Sequence, residues 1–212
     1  MNYVVTLDSK GVRPYLFSYR RCPYAMRARM ALVESNIEFD IYEISLRNKP
    51  SEMLNISSKG TVPVLRVNTL VLDESLEIMK WAYQKGDSNQ LVLEPEEKKI
   101  ADELILLNDG RFKDALDCYK YFERYPKKTK VEHRKLCYFF LEILEKRLSN
   151  KAFLIHNERS YIDISIFPFI RQFVNVDKTW FDNSEYRKTR DWLESLIQSD
   201  LFKKVMVKPK LS

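Results

Sequence analysis

Between Pro14 and about Gln84 the alternation of apolar and polar positions changes its period several times, whereas from Pro95 onward it is almost wholly helical. Tyr15-Leu16-Phe17-Ser18-Tyr19 is a short apolar and aromatic run of strand type. Pro23 to Ser35 then carries Met26, Ala28, Met30, Ala31, Leu32 and Val33 in a helical mixture that stops at Asn36. Phe39-Asp40-Ile41-Tyr42-Glu43-Ile44 alternates as a half-buried strand does. Strand, helix and strand with short connections predict a βαβ unit with parallel pairing and a right-handed crossover. Two further β-rich runs, Val62-Pro63-Val64-Leu65-Arg66-Val67 and Leu70-Val71-Leu72, flank Asn68-Thr69 and read as a tight hairpin. Ser75 to Gln84 closes this half as a helix, with Leu76, Met79 and Trp81 apolar and Asp73 as the expected cap.

The second half reads as a helical bundle. Glu96 to about Tyr121 places Ile100, Leu104, Leu107 and Phe112 at helical intervals, and Val131 to Leu148 places Leu136, Phe140, Leu144 and Leu148 on one stripe. Tyr125-Pro126-Lys127-Lys128 separates the two. Ser160-Tyr161-Ile162-Asp163 has the spacing of a capping box, with Asp in the place of Glu or Gln. Phe167-Pro168-Phe169 reads as core, and Trp180, Trp192 and Phe202 are expected to pack the last helices against it. The expected boundaries are a mixed α/β domain over 12–85, a polar, turn-rich linker over about 86–94, and an all-α domain over 95–212.

Composition adds exclusions. The N-terminus lacks the charged start and long apolar stretch of a signal peptide, and no apolar run reaches spanning length, so a cytoplasmic setting without membrane contact is expected. Cys22, Cys118 and Cys137 are odd in number and irregularly spaced, which implies neither a disulfide framework nor a zinc site. With His133 and His156 the only histidines, no metal is expected. The formal charge of +6 is densest at Lys127-Lys128-Thr129-Lys130 and His133-Arg134-Lys135. No nucleic-acid module accompanies it, so this stretch reads as a solvated face and no nucleic acid is expected as a partner. An excess of positive charge still attracts a small anionic substrate.

Cys22 is the candidate for chemistry. It stands in Tyr19-Arg20-Arg21-Cys22-Pro23-Tyr24-Ala25-Met26-Arg27, after the first strand and before the first helix, with Pro23 suited to the first helical position. A cysteine there faces unpaired N–H groups and the positive end of the helix dipole, both of which favour thiolate over thiol. Arg20, Arg21, Arg27 and Arg29 add cationic charge nearby. Ala25 occupies the position three residues on, so a Cys-x-x-Cys dithiol is absent.

The ordered set Cys22-Pro23-Tyr24, Asn48-Lys49-Pro50, Thr61-Val62-Pro63-Val64 and Asp73-Glu74-Ser75 resembles the glutathione S-transferase superfamily, and within it the cysteine-type omega and related bacterial transferases. The resemblance covers essentially the whole chain. It implies a thioredoxin-like first domain (βαβ-ββα), a helical second domain and glutathione as cosubstrate. It further implies a cis peptide at Val62-Pro63, with the Val62 backbone pairing with glutathione like an added strand. Tyr24 and Pro63 would line the same site, Lys49 would meet the glycyl carboxylate, and Glu74 and Ser75 would hold the γ-glutamyl end.

Cys22 as a lone thiolate suits thiol transfer, reductive deglutathionylation or dehydroascorbate reduction through a mixed disulfide with glutathione. The acceptor would be a small molecule or a protein thiol, and a homodimer is implied by the likeness. Two alternatives stand beside this. One is conjugation of glutathione to electrophiles, with Tyr19 or Ser18 as the activating hydroxyl. The other is a non-enzymatic regulator of the stringent starvation protein type. Cys118 and Cys137 read as helix-packing residues.

Overall fold

The computed structural model describes residues 13–87 and 93–208. Among them, contacts define two units, one running to Asp87 and taking in the chain again from Ser199, the other comprising Leu93–Gln198. The expected linker falls in part on 88–92, and the expected domain limits at 12 and 212 also lie outside the described residues.

In the first unit the chain runs β1 (Tyr15–Ser18), α1 (Pro23–Glu34), β2 (Asp40–Glu43), α2 (Ser51–Ile56), β3 (Val64–Val67), β4 (Leu70–Leu72) and α3 (Ser75–Lys85). The sheet order is β2-β1-β3-β4. β1 pairs with β2 in parallel, Tyr15 opposite Asp40, and antiparallel to β3, Tyr15 opposite Arg66. Leu16, Phe17 and Ser18 are all buried because β1 is an inner strand covered on both faces, which explains its unbroken apolar character. The connection between β3 and β4 is the expected hairpin, with Asn68 at φ +54° in the left-handed region that asparagine tolerates.

α1 starts on Pro23 and ends with Asn36 at φ +53°. Its small residues Ala25, Ala28 and Ala31 are fully buried, which allows close packing on α3. Gly86, just after α3, touches the end of α1: a Cβ built there would lie 2.0 Å from the Ser35 carbonyl oxygen. α2 has no counterpart in the sequence reading, since its six residues bury only Met53 and so carry no periodic stripe. Asp73 does not cap α3; the N-cap is Glu74, without a side-chain capping bond, because Asp73 is committed to Ser57 and Lys59.

The second unit contains α4 (Pro95–Leu107), α5 (Lys113–Lys120), α6 (Lys130–Lys135), α7 (Tyr138–Leu148), α8 (Tyr161–Val174), α9 (Lys178–Asp182) and α10 (Arg187–Gln198). The single helix expected from Glu96 to Tyr121 is interrupted by a wide turn over Asn108–Phe112, where Gly110 leaves helical geometry at φ −99°, ψ −105°. The helix expected from Val131 to Leu148 is likewise broken at Leu136 and Cys137. The predicted capping box is present: the Asp163 carboxylate accepts from Ser160 N–H at 2.9 Å and Ser160 Oγ at 3.0 Å. It also accepts from Leu154 N–H and Trp192 Nε1, so a fully buried carboxylate fastens three segments.

Phe167 and Phe169 are core, as the pattern implied, and Trp192 meets Phe167 edge-on at 6.4 Å. Part of the basic stretch is structural, since Arg134 lies 4.1 Å over Trp180 and pairs with Asp177 at 3.2 Å. Phe202 departs from expectation: it sits on α11 (Asp200–Val205), which returns to the first unit and packs on α1.

Candidate active site

The residues singled out by sequence lie in the first unit, around the end of β1 and the starts of β3, α1 and α3. Cys22 is the N-cap of α1, extended at φ −75°, ψ 125°. Its N–H donates to Tyr19 O at 2.9 Å and its carbonyl accepts from Met26 N–H at 2.9 Å, so backbone bonds on both sides set its position. The side chain is half-buried, with Sγ 3.7 Å from the Val62 carbonyl oxygen, to which the thiol donates. Phe17, Ala25, Ile44, Met53, Val62 and Val64 form the apolar floor beneath it. The Val62-Pro63 peptide is cis, and both residues are buried.

Two further groupings stand beside this pair. At the start of α3, Ser75 is 2% exposed, and its hydroxyl accepts from Arg27 Nε at 3.0 Å and Arg27 Nη2 at 2.8 Å. The same guanidinium lies 5.1 Å over the Tyr24 ring. The other grouping is ionic: Lys59 Nζ bridges Glu74 Oε1 at 2.5 Å and Asp73 Oδ1 at 2.9 Å, while Ser57 Oγ donates to Asp73 Oδ2 at 2.8 Å. Hydrogen bonds from Lys59 and Ser57 hold the Asp73 carboxyl below its usual range, and the two carboxylates raise the Lys59 ammonium above its own.

Lys49 is the outlier. It is exposed and makes no hydrogen bond or ion pair among the described residues, but its ammonium lies against the turn before Val62. A Cβ built on Gly60, which has φ +59°, would be 3.6 Å from Lys49 Nζ.

Sequence reasoning missed Arg27 and Lys59 as members of these groupings. The signal for Arg27 was a charge amid the apolar residues of α1. Its burial shows that the guanidinium serves Ser75, and Arg29, equally buried, donates to the Arg20 carbonyl and pairs with Glu43 at 3.8 Å. Lys59, in Ser57-Ser58-Lys59-Gly60, gave no local sign of its carboxylate partners.

The alternative hydroxyls differ in access. Ser18 is fully buried, and its hydroxyl has no hydrogen-bond partner among the described residues. Tyr19 is half-buried, and its phenol oxygen accepts from Arg21 Nε at 3.1 Å. Cys118 and Cys137 belong to the second unit, where burial pushes the Cys137 thiol up to about 12. Among the described residues no three His, Cys, Asp or Glu side chains gather as metal ligands, and no helix is long and apolar enough to cross a membrane.

Comparison with known proteins covers both units. Residues 16–90 match the family described as Glutathione S-transferase, N-terminal domain, and residues 107–200 match Glutathione S-transferase, C-terminal domain. The chain is 28% identical over 167 residues to Glutathione S-transferase U28 of Arabidopsis thaliana, covering 74% of this chain and 70% of that relative. It is 24% identical over 189 residues to Glutathione S-transferase DHAR3, chloroplastic, of the same organism, covering 83% and 71%. Its fold is similar to that of a glutathione transferase from Pseudomonas putida with one glutathione disulfide bound per subunit, at a TM-score of 0.78 and 18% identity over 93% of this chain and 92% of that one.

Proposed function

This chain belongs to the glutathione S-transferase superfamily, and we propose that within it the protein is a glutathione-dependent thiol transferase with Cys22 as the nucleophile. The observation that carries this reading is the place of Cys22 as the N-cap of α1, with its side chain beside the Val62 backbone. The helix start favours the thiolate, and the adjoining backbone at Val62 suits a peptide cosubstrate laid alongside it as an added strand. In this reading Tyr24 and Pro63 line the seat and Lys49 meets the glycyl carboxylate. Glu74 receives the γ-glutamyl ammonium and Ser75 the γ-glutamyl carboxylate. The similarity to a DHAR-type relative and to a protein crystallised with glutathione disulfide supports a thiol and disulfide chemistry.

The reaction balances with glutathione as the reductant. The Cys22 thiolate attacks the glutathionyl sulfur of a mixed disulfide, an S–S bond forms as the original one breaks, and the acceptor leaves as its thiol after taking up a proton. A second glutathione thiolate then attacks the glutathionyl sulfur on Cys22, releasing oxidised glutathione and restoring the Cys22 thiolate. Ala25 is buried in the floor of the site and offers no second thiol, so glutathione must resolve the intermediate. A homodimer in the cytoplasm is part of the same proposal.

The conjugating alternative would rest on Tyr19, since the Ser18 hydroxyl is fully buried in the sheet. Replacing Cys22 with Ala separates the two. On the thiol-transfer reading, reduction of hydroxyethyl disulfide falls at least about 100-fold, while conjugation of chlorodinitrobenzene persists at its unmodified rate. Retention of disulfide reduction by Cys22→Ala would sink the proposal. Intact-protein mass spectrometry after exposure to oxidised glutathione gives a second check, with the adduct expected on Cys22.

A further inference from the structure

Seven lysines and arginines fall between Lys120 and Lys135, against Glu123 and Glu132 alone, so this short stretch supplies +5 of the formal net charge of +6. The structure divides these cations between two tasks. Arg134 pairs with Asp177, and Lys130 Nζ donates to the Val176 carbonyl at 3.4 Å while lying 5.8 Å over the Phe122 ring. Nε2 of the buried His133 donates to the Tyr125 carbonyl at 2.9 Å. These inward contacts fasten the turn after α5 to α6 and to the chain before α9. The remaining cations are left outside.

What faces outward is both cationic and apolar. Glu123 to Thr129 are exposed without a break, and the ammonium groups of Lys127, Lys128 and Lys135 make no hydrogen bond or ion pair among the described residues. Glu132 offsets them only in part. It is drawn into the cap of α6, where hydrogen bonds from Thr129, and then the charges of Lys128 and Lys135, hold its carboxyl below its usual range. Among the cations stand Tyr121, Tyr125, Val131 and Leu136, which are 37%, 43%, 47% and 45% exposed. Grouped along one short stretch, they are more than the scattered apolar exposure of an ordinary surface.

From this placement we infer that the turn after α5 and the outer side of α6 form a peripheral docking face for an anionic membrane surface, with Tyr121, Tyr125, Val131 and Leu136 entering the headgroup layer. Charge complementarity carries it: a cluster of lysines and arginines is drawn to anionic lipid, and exposed tyrosine and aliphatic side chains add burial there. The form of the face disfavours other polyanions. Single-stranded nucleic acid stacks its bases on open aromatic rings, but the Tyr121 ring already holds Lys120 Nζ at 4.8 Å and Arg124 Cζ at 4.6 Å, and the Tyr125 ring meets His133 at 6.1 Å. An acidic peptide needs a groove or a sheet edge, whereas an unbroken run of exposed residues makes a projecting turn. Spanning length, which no helix among the described residues has, governs insertion and not attachment to a surface. The inference does not depend on the glutathione reading.

The test is flotation of the full chain with vesicles of equal parts phosphatidylcholine and phosphatidylserine. Vesicles of phosphatidylcholine alone and a single-stranded uridine homopolymer are the other arms. Binding to the anionic vesicles is expected to exceed that to phosphatidylcholine by about tenfold or more and to weaken as salt rises. Lys127→Ala with Lys128→Ala, at exposed positions whose side chains bond to nothing, should lower partition by about 10- to 30-fold, the effect of two cations near the surface. Val131→Ser with Leu136→Ser should lower it about threefold or more, also at high salt, because burial is not screened; Tyr125→Ser is read in its place if that variant does not fold. No binding to the anionic vesicles, equal binding to both vesicle types, or undiminished binding by the lysine or the apolar variant overturns the inference. Binding of the RNA in preference to the anionic vesicles overturns it as well.

Discussion

Lys59 Nζ sits 2.5 Å from Glu74 Oε1, so the carboxylate proposed to receive the γ-glutamyl ammonium already holds a cation from its own chain. Asp73, on the other side of Lys59 at 2.9 Å, gives the lysine a second partner to keep when Glu74 is claimed. Glutathione would then bind by exchange, its ammonium displacing Lys59 from Glu74.

Lys59→Met removes this internal competitor. Because an exposed ion pair is worth little, the expected gain in glutathione affinity is modest, about two- to fivefold. Titration calorimetry at low and high salt checks it. The advantage of the variant should shrink as salt screens the pair in the wild type. Weaker binding by Lys59→Met would instead make Lys59 part of the seat.

The same cluster predicts an acid-dependent stability. The folded Asp73 carboxyl is held below its usual range, chiefly by the hydrogen bond from Lys59. A carboxyl depressed by folding contributes stability above its unfolded value, about 3.9, and loses it as pH falls through the folded value. Asp73→Asn should therefore be less stable than wild type near neutral pH, with the difference closing below about pH 4. Urea unfolding across that range reads the effect directly, and a difference that grows on acidification would contradict the assignment.

Thiol reactivity should separate the three cysteines. With its thiol pushed up to about 12 by burial, Cys137 has almost no thiolate at the pH of alkylation. Limiting iodoacetamide followed by peptide mass spectrometry should label Cys22 first and Cys137 last, the latter only when denaturant opens the second unit. Labelling of Cys137 at the rate of Cys22 in the native protein would contradict its burial.

Asp163 is the most exacting point in the second unit. Its fully buried carboxylate accepts from Leu154 N–H, Ser160 N–H, Ser160 Oγ and Trp192 Nε1. Asp163→Ala strands those donors in the core, and the expected destabilisation is about 3 kcal/mol. Guanidinium unfolding of the full chain measures it. The fluorescence of Trp192, which would lose its partner, should shift before the main transition.

Much of this architecture was legible from the periodicity. The apolar run at Tyr15-Leu16-Phe17-Ser18, the hairpin at Asn68-Thr69 and the capping box at Ser160 and Asp163 rest on rules that act within a few residues. Local rules failed where one residue outweighed a pattern or where a pattern was too short. Gly110 interrupts a stripe that continues on either side of it, and α2 buries only Met53. Local spacing makes Asp73 the expected cap of α3, but Ser57 and Lys59 claim it from a neighbouring turn.

The sequence by itself determined that Cys22 stands at a helix start without a second cysteine three residues on, because that arrangement is encoded within nine consecutive residues. It also carried the motifs that mark the superfamily. Only the tertiary structure decided what the nearby charges do. Arg27 turns to Ser75, 48 positions away, and Lys59 turns to Glu74, 15 positions away. A long cationic side chain can reach in many directions, and which partner it meets depends on helices and turns that packing brings together.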